Sequence, residues 1–486
     1  MISVLKSLFE HKVRARNNRK THSFRPQCEG LETRLVPTID FSNGVLEVDG
    51  SSSADEIRFE EVSEFSHYEF VQSNWGWFAY PVYTDYIKAS RSVNGNVVEE
   101  RQELASSVLQ LDANGGTGND IITNDTNKPA YLYGSIGDDT ISGGDGNDTL
   151  KGGLDDDDLF GRGGHDLLLA DPQNDSDSDL LSGGLGNDTF KFEHHYYQVG
   201  WDIRLDSFGN VSIMDNSGGT DTLDLSGLKT NANLSLNTNS WQEVSTYYLD
   251  LRITPFSEIE NVIGTDYADA LIGNSLDNRI WGGDGNDLIE GGAGDDTLTG
   301  GNGSDQYIYW TKDQSLYFNY EYIDLGEHGS NLGSDRIEEG SNAWTDWLNF
   351  KHFDESGIDI DLQTTVNQNV GTNLQIDLSS TSGIEKVTGS AYSDTIFGNA
   401  RNNSIYGGDG NDNIHGRNGN DFLSGQNGND TLRGGNGRDS LYGGNHSDQL
   451  YSDEFSGDND GQNDYLSGGS GYDTGDDDGW WYYNPF

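Results

Sequence analysis

One aliphatic position recurs every nine residues over much of this chain. It is occupied by Ile141, Leu150, Leu159 and Leu168, then Leu271, Ile280, Ile289 and Leu298, then Ile396, Ile405, Ile414, Leu423, Leu432, Leu441 and Leu450. Each sits in a short x-U-x segment (U aliphatic), as in Thr149-Leu150-Lys151, and six Gly- and Asp-rich residues precede it. The pattern predicts a short strand with its aliphatic side chain turned inward, preceded by a tight reversal in which glycine supplies φ > 0. Two such units make a coil of eighteen residues, so each strand stacks on the strand two units later. The predicted fold is all-β: tandem parallel β-rolls separated by β-rich spacers.

The reversals carry a motif. Nine copies of the core GGxGxD begin at Gly115, Gly143, Gly183, Gly282, Gly291, Gly300, Gly407, Gly434 and Gly468, with near copies such as Gly416–Ser424 between them. A period held this long is the signature of a repeat architecture. From Gly389 to Tyr451 seven nonapeptides run without a slip, which chance in an Asp/Gly-rich chain does not produce. The expected division is a basic leader at 1–37, a β segment at 38–114, rolls at 115–192, 264–309 and 389–475, spacers at 193–263 and 310–388, and an acidic-aromatic tail at 476–486. The spacers resemble each other. Thr220–Leu225 parallels Thr345–Phe350, and Ser257–Gly264 parallels Ser382–Gly389, so a spacer-plus-roll unit is used twice. Residues 170–182 and 452–467 read as units with inserted loops, while Asn278 and Asn403 replace the motif Asp and predict a weaker metal ligand or none.

Composition sharpens the picture. The chain of 486 residues has 82 Asp+Glu against 28 Lys+Arg, a net charge of −54, and only 33% hydrophobic residues. Such a chain buries too little apolar surface to order itself unaided. Phosphates are repelled, so nucleic acid is excluded as a partner, and cations are the natural one. The leader is different: eight bases against three acids leave residues 1–36 at +5. The only cysteine, Cys28, lies in the leader, so the body has no internal disulfide and needs another staple. No apolar run approaches membrane length.

Metal can be that staple. Stacked turns each offer a carboxylate and carbonyl oxygens, a donor set that suits Ca²⁺, with its six to eight oxygen ligands. Zinc wants His or Cys, which the motif lacks. The nominated ligands are Asp120, Asp139, Asp148, Asp157, Asp166, Asp188, Asp269, Asp287, Asp296, Asp305, Asp394, Asp412, Asp421, Asp430, Asp439, Asp448 and Asp473. The eighteen-residue coil pairs Asp412 with Asp430, Asp421 with Asp439, Asp430 with Asp448, Asp287 with Asp305, Asp139 with Asp157 and Asp148 with Asp166. One aliphatic side chain per nine residues is a thin core, worth about 1.5–3 kcal/mol if fully buried. Ordering the backbone opposes it by about 1–2 kcal/mol per residue. The files of like charge add repulsion: residues 389–475 hold 13 acids and 4 bases. Ion binding must therefore be folding free energy.

The nonapeptides resemble the RTX, or hemolysin-type, calcium-binding repeat of secreted bacterial proteins, as in Gly407-Gly408-Asp409-Gly410-Asn411-Asp412. The lead-in Ile259–Gly264 is similar to segments that precede such repeats. The resemblance implies a right-handed parallel β-roll, several bound Ca²⁺ ions held by Asp carboxylates and turn carbonyls, and folding outside the cell. The leader Arg25–Pro37, with Leu31-Glu32-Thr33-Arg34, looks like the Leu-Glu-x-Arg leader of exported bacterial proteins.

Other features carry less. His194-His195 point to opposite faces of a strand, which favours a surface role over a metal pair. Trp75, Trp77 and Trp480-Trp481 read as packing or as caps of the roll, and Asp221 and Asp224 as a strand edge or calcium ligands. No HExxH helix or GxSxG elbow occurs, so the reading is a non-enzymatic, calcium-ordered secreted or surface protein, structural or adhesive, with polysaccharide or protein of a cell surface or matrix as partner. The alternative is an accessory repeat region of a secreted hydrolase or epimerase.

Overall fold

The computed structural model describes residues 38–486 except 74–75, 171–176, 195, 200–201, 206, 216–217, 247, 256, 312–314, 319–320, 325–331, 340–343, 453–463, 476–479 and 482–486, and gives backbone only for the strand residues within 64–83, 196–205, 315–324 and 480–481. The leader, with Cys28 and the Leu-Glu-x-Arg segment, lies outside the described residues, as do the side chains of Trp75, Trp77, Trp480 and Trp481. No described residue is helical.

Each nonapeptide supplies one strand, and successive units alternate between two sheets. Ile405 pairs in parallel with Leu423, and Leu423 with Leu441, in one sheet. Ile414 pairs with Leu432, and Leu432 with Leu450, in the other. The register shift is the eighteen-residue coil. Every member of the aliphatic stripe is at most 1% exposed, which fixes the register, because a slip of one residue would turn the stripe outward. The strands are longer than the x-U-x segment. Ser404–Asp409, Asn413–Asn418, Phe422–Asn427, Thr431–Asn436 and Ser440–Asn445 each continue through the first two motif positions, which are both glycine except for Arg417 and Gln426 at the second. Only three residues, such as Gly410-Asn411-Asp412, remain for the reversal. The second and fourth glycines hold φ of +118° and +124° at Gly408 and Gly410, where an L side chain is strained.

The spacers continue the stack. A fourteen-stranded sheet runs from Ile39–Ser42 to Leu374–Leu378, through roll one, spacer one, roll two and into spacer two. It is partnered first by a ten-stranded sheet and then by an eleven-stranded one, which in turn is partnered in roll three by a six-stranded sheet. Both spacers make the hand-over in the same way. In spacer one, Asn233–Ser235 starts the eleven-stranded sheet, while the antiparallel hairpin Gln242–Ser245 with Leu249–Ile253 ends the ten-stranded sheet. In spacer two, Asp359–Asp361 starts the six-stranded sheet and the hairpin Gln368–Gly371 with Leu374–Leu378 ends the fourteen-stranded one. The duplication seen in the sequence is thus a duplicated sheet exchange. At the N-terminal side, the antiparallel meander Asp55–Ser73, Gly76–Val93 and Asn96–Leu104 closes the ten-stranded sheet. Residues 37–486 cluster as one unit.

His194 departs from its expected surface role. It is 6% exposed, packs against Phe208 and Tyr248, and its Nδ1 accepts the N–H of Lys229 at 3.1 Å. The spacer has an aromatic core of its own, and the His194 imidazole fills it while satisfying a backbone donor.

Candidate metal-binding site

The motif Asp closes the three-residue reversal, and its side chain folds back over the first glycine of its own unit. The backbone sends one carboxylate oxygen along the stack. The N–H of Asp412 donates to Oδ1 of Asp430 at 2.9 Å, that of Asp430 to Asp448 at 2.9 Å, and that of Asp421 to Asp439 at 2.8 Å. Asp287 donates likewise to Asp305 at 2.9 Å, Asp139 to Asp157 at 2.9 Å and Asp148 to Asp166 at 2.8 Å. All six expected pairs are neighbours, but through N–H to carboxylate bonds rather than facing carboxylates.

The other oxygen is the informative one. Oδ2 of Asp120, Asp139, Asp148, Asp166, Asp188, Asp287, Asp296, Asp305, Asp412, Asp421, Asp430 and Asp448 is buried and accepts no hydrogen bond. A buried acceptor left this way is costly, and a dozen among the nominated residues is a pattern that calls for an explanation. They sit over glycines. A Cβ on Gly425 would lie 2.1 Å from Oδ2 of Asp430 and 2.7 Å from the carbonyl oxygen of Gly443. On Gly407 it would lie 2.1 Å from Oδ2 of Asp412 and 2.9 Å from the carbonyl oxygen of Gly425. A carboxylate oxygen and the carbonyl of the next coil thus converge on a hollow kept open by the first glycine, a hard-oxygen donor set that fits Ca²⁺.

Charge agrees. Burial, joined by the acids of neighbouring coils, pushes Asp148 up to about 8, Asp287 to about 9 and Asp412 to about 8. Burial raises Asp139, Asp166, Asp421 and Asp448 to about 7, and Asp120 and Asp305 to about 6. Files of buried carboxylates cannot all ionise without a counter-charge, which a divalent ion supplies.

The remaining nominated residues differ. Asp269 and Asp394 are saturated from within their own turns: the backbone N–H of Thr265 and of Ser390 donates to Oδ2, and their hydroxyls to Oδ1. Asp157 and Asp439 are buried members of the files. Asp473 accepts the N–H of Asp448 at 3.0 Å at the end of its sheet. Where Asn replaces Asp, the demand for a cation disappears: Nδ2 of Asn278 donates to the carbonyl of Glu260 and to Oδ1 of Asn274, and Asn403 repeats this with Glu385 and Asn399.

Several acids in the files lie outside the nominated set, and of these the sequence had offered Asp221 alone, as a strand edge or calcium ligand. Asp157 donates to Asp179 and Asp439 to Asp464, across the two units with inserted loops. Through the spacers, Asp188 donates to Asp221 and Asp221 to Glu260, matched by Asp305 to Asp346 and Asp346 to Glu385. Each lies two residues before a buried aliphatic, as Asp221 does before Leu223, and that spacing was available in the sequence. Asp188, Asp215 and Asp221 also bring carboxylate oxygens within 4.8 Å of one another, a buried trio able to hold a metal ion. At the first coil the file ends differently: Asp55 donates to Asp120 and is itself neutralised by Arg91 at 3.0 Å.

Comparison with known proteins agrees with this geometry. The RTX calcium-binding nonapeptide repeat family matches four stretches, residues 133–168, 175–191, 388–423 and 424–457. The Peptidase M10 serralysin C terminal family matches residues 206–389, across both spacers and the middle roll. Neither is a family of catalytic domains by its description. No curated protein matches the chain. With its nonapeptide period, its stacked parallel coils and these matches, the chain carries RTX calcium-binding nonapeptide repeats, which bind several Ca²⁺ ions.

Proposed function

We propose that this is a secreted or cell-surface protein whose stack of rolls folds when Ca²⁺ enters it, and whose role is structural or adhesive. The reading is carried by the dozen buried, unpartnered Oδ2 atoms over position-one glycines. The ligands we assign are the nominated Asp residues that carry such an oxygen, with Asp157, Asp439 and Asp473 as further members of the same files. In this reading export precedes folding: at low Ca²⁺ the acidic files repel and the chain stays open, and outside the cell the ions close it. The three expected rolls and two spacers then act as one continuous stack of coils, and the partner is a polysaccharide or protein of a surface or matrix. The test is Ca²⁺-dependent retention of the full chain on bacterial cells or extracted matrix. Retention unchanged by chelator would refute the calcium-gated adhesive role.

A second reading rests on the serralysin C-terminal match: a calcium-folded region that accompanies a secreted protease. Zymography of the purified chain against protein substrates distinguishes the two, since a lysed zone favours the second.

A further inference from the structure

Two surface grooves occupy equivalent places in the duplicated unit. One, of about 420 Å³, lies on the outer face of the eleven-stranded sheet and is lined by Trp347, Lys351, Lys386 and Tyr406 over a glycine floor. The other, of about 400 Å³, lies on the fourteen-stranded sheet and is lined by Ser226, Trp281 and the glycines Gly264, Gly283 and Gly301. The strands align Trp347 with Thr222, Lys351 with Ser226, Lys386 with Asn261 and Tyr406 with Trp281. Both keep an aromatic ring at the groove. Only the first has gained a tryptophan and two lysines.

The first groove also opens onto an aromatic ladder. Nζ of Lys386 sits 3.4 Å from the ring centre of Trp347 and 5.8 Å from that of Tyr406. Tyr406 is followed along the same face by Phe422, Tyr442 and Tyr465, with successive ring centres 5.5, 5.2 and 5.4 Å apart. Parallel strands about 4.8 Å apart set this spacing. The rings are half-buried or exposed, and Ser404, Ser424 and Ser440 stand between them. Folding does not need such a strip, because the stripe on the inner face already fills the core. Its charge is also out of character. In a chain of net charge −54, the groove presents two cations against one acid, Asp409, whose Oδ1 already accepts Nδ2 of Asn427 at 2.7 Å.

We propose that this groove and ladder bind an acidic polysaccharide, with Lys386 and Lys351 meeting carboxylates and Tyr406, Phe422 and Tyr442 stacking on sugar rings. The inference rests on the adhesive reading above and names its ligand class. Flat rings with an amphipathic edge suit the apolar faces of pyranose units, a regular zigzag of rings alternating with serines across successive strands suits a repeating polymer, and cations held against aromatic faces suit a charged one. A peptide strand would need a free sheet edge, and this is a sheet face.

The test is affinity electrophoresis of the full chain at saturating Ca²⁺ through gels containing hyaluronan or a neutral dextran. The wild type should be retarded by hyaluronan and not by dextran. Lys351→Gln with Lys386→Gln, and separately Tyr406→Ala with Tyr442→Ala, should each weaken retardation about tenfold or more, with the Ca²⁺-induced circular dichroism change intact as a check of folding. Retention of hyaluronan by the lysine variant at wild-type strength would overturn the site, since binding would then run through bound Ca²⁺ or another face. Equal retardation by dextran would overturn the acidic specificity. A wild type that binds neither glycan but still adheres to cells through protein refutes this site and leaves the adhesive reading standing; one that adheres to nothing refutes both.

Discussion

Asp430→Asn isolates the metal role of a file residue from its hydrogen-bonding role. Asn can still accept the N–H of Asp412 through Oδ1, as Asp430 does at 2.9 Å. In that orientation it replaces the buried Oδ2 by an amide nitrogen and removes the charge, whereas Asn278 and Asn403 sit the other way round, with Oδ1 over the glycine and Nδ2 toward the preceding coil. Asp430 lies between Asp412 and Asp448 and so borders two gaps in the stack. With extracellular-type sites of Kd about 10⁻⁴–10⁻³ M, 10 mM Ca²⁺ is about 10–100 times Kd, and each ion stabilises the fold by about 1.4–2.7 kcal/mol. Losing two such contributions lowers stability in 10 mM Ca²⁺ by about 3–5 kcal/mol. Asp473→Asn, which borders one gap at the sheet end, should cost about half of that. Without metal both chains are open at neutral pH, so the difference is confined to the Ca²⁺-loaded fold. Urea melts at 10 mM Ca²⁺, followed by circular dichroism, measure it. Equal losses for the two variants in Ca²⁺ would refute the assignment.

Three further outcomes follow from the same geometry. Gly425→Ala puts a methyl 2.1 Å from Oδ2 of Asp430 at an ordinary φ, so filling the hollow should cost about 1–3 kcal/mol and raise the Ca²⁺ midpoint in a titration. Leu432→Ala empties a fully buried stripe position and should cost about 2–5 kcal/mol in urea melts at saturating Ca²⁺. The file carboxylates are raised by burial, several to between about 6 and 9, so the unfolded chain ionises first as pH rises. Stability of the metal-free fold should therefore be greatest below about pH 4 and be lost as pH climbs through that range. Because Ca²⁺ displaces those protons, its affinity should rise from pH 6 to pH 9, which calorimetry in two buffers detects as proton release. An affinity independent of pH would contradict the burial of the ligands.

The nine-residue period was enough to locate the buried stripe, the eighteen-residue coil and the six Asp pairs, because an apolar position and a carboxylate at fixed spacing leave one register that buries the first and stacks the second. Strand length was not legible. Paired glycines read as a reversal, yet Gly408 pairs with Gln426 inside the ladder, and only the fourth to sixth motif residues turn. The spacers read as separators because hairpin insertions break the period. Physically they are wider coils, and Asp221, Glu260, Asp346 and Glu385 carry the acid file through them. An acid two residues before a buried aliphatic is the rule that would have found these, together with Asp179 and Asp464. That Asp269 and Asp394 are closed by Thr265 and Ser390 depended on a hydroxyl at the motif's second position, whose effect is a matter of turn geometry. The burial of His194 depended on Phe208 and Tyr248, brought in from distant parts of the spacer.

The central claim is that ions between stacked turns supply the order that a sparse apolar core cannot. Its most direct test is a Ca²⁺ titration of residues 38–486 with bound ions counted by mass spectrometry or equilibrium dialysis while circular dichroism and hydrodynamic radius are recorded. The account predicts an open, coil-like chain in chelator that becomes compact and β-rich as several ions bind together, half-complete at about 10⁻⁴–10⁻³ M. A chelated chain already as compact and β-rich as the loaded one would contradict it.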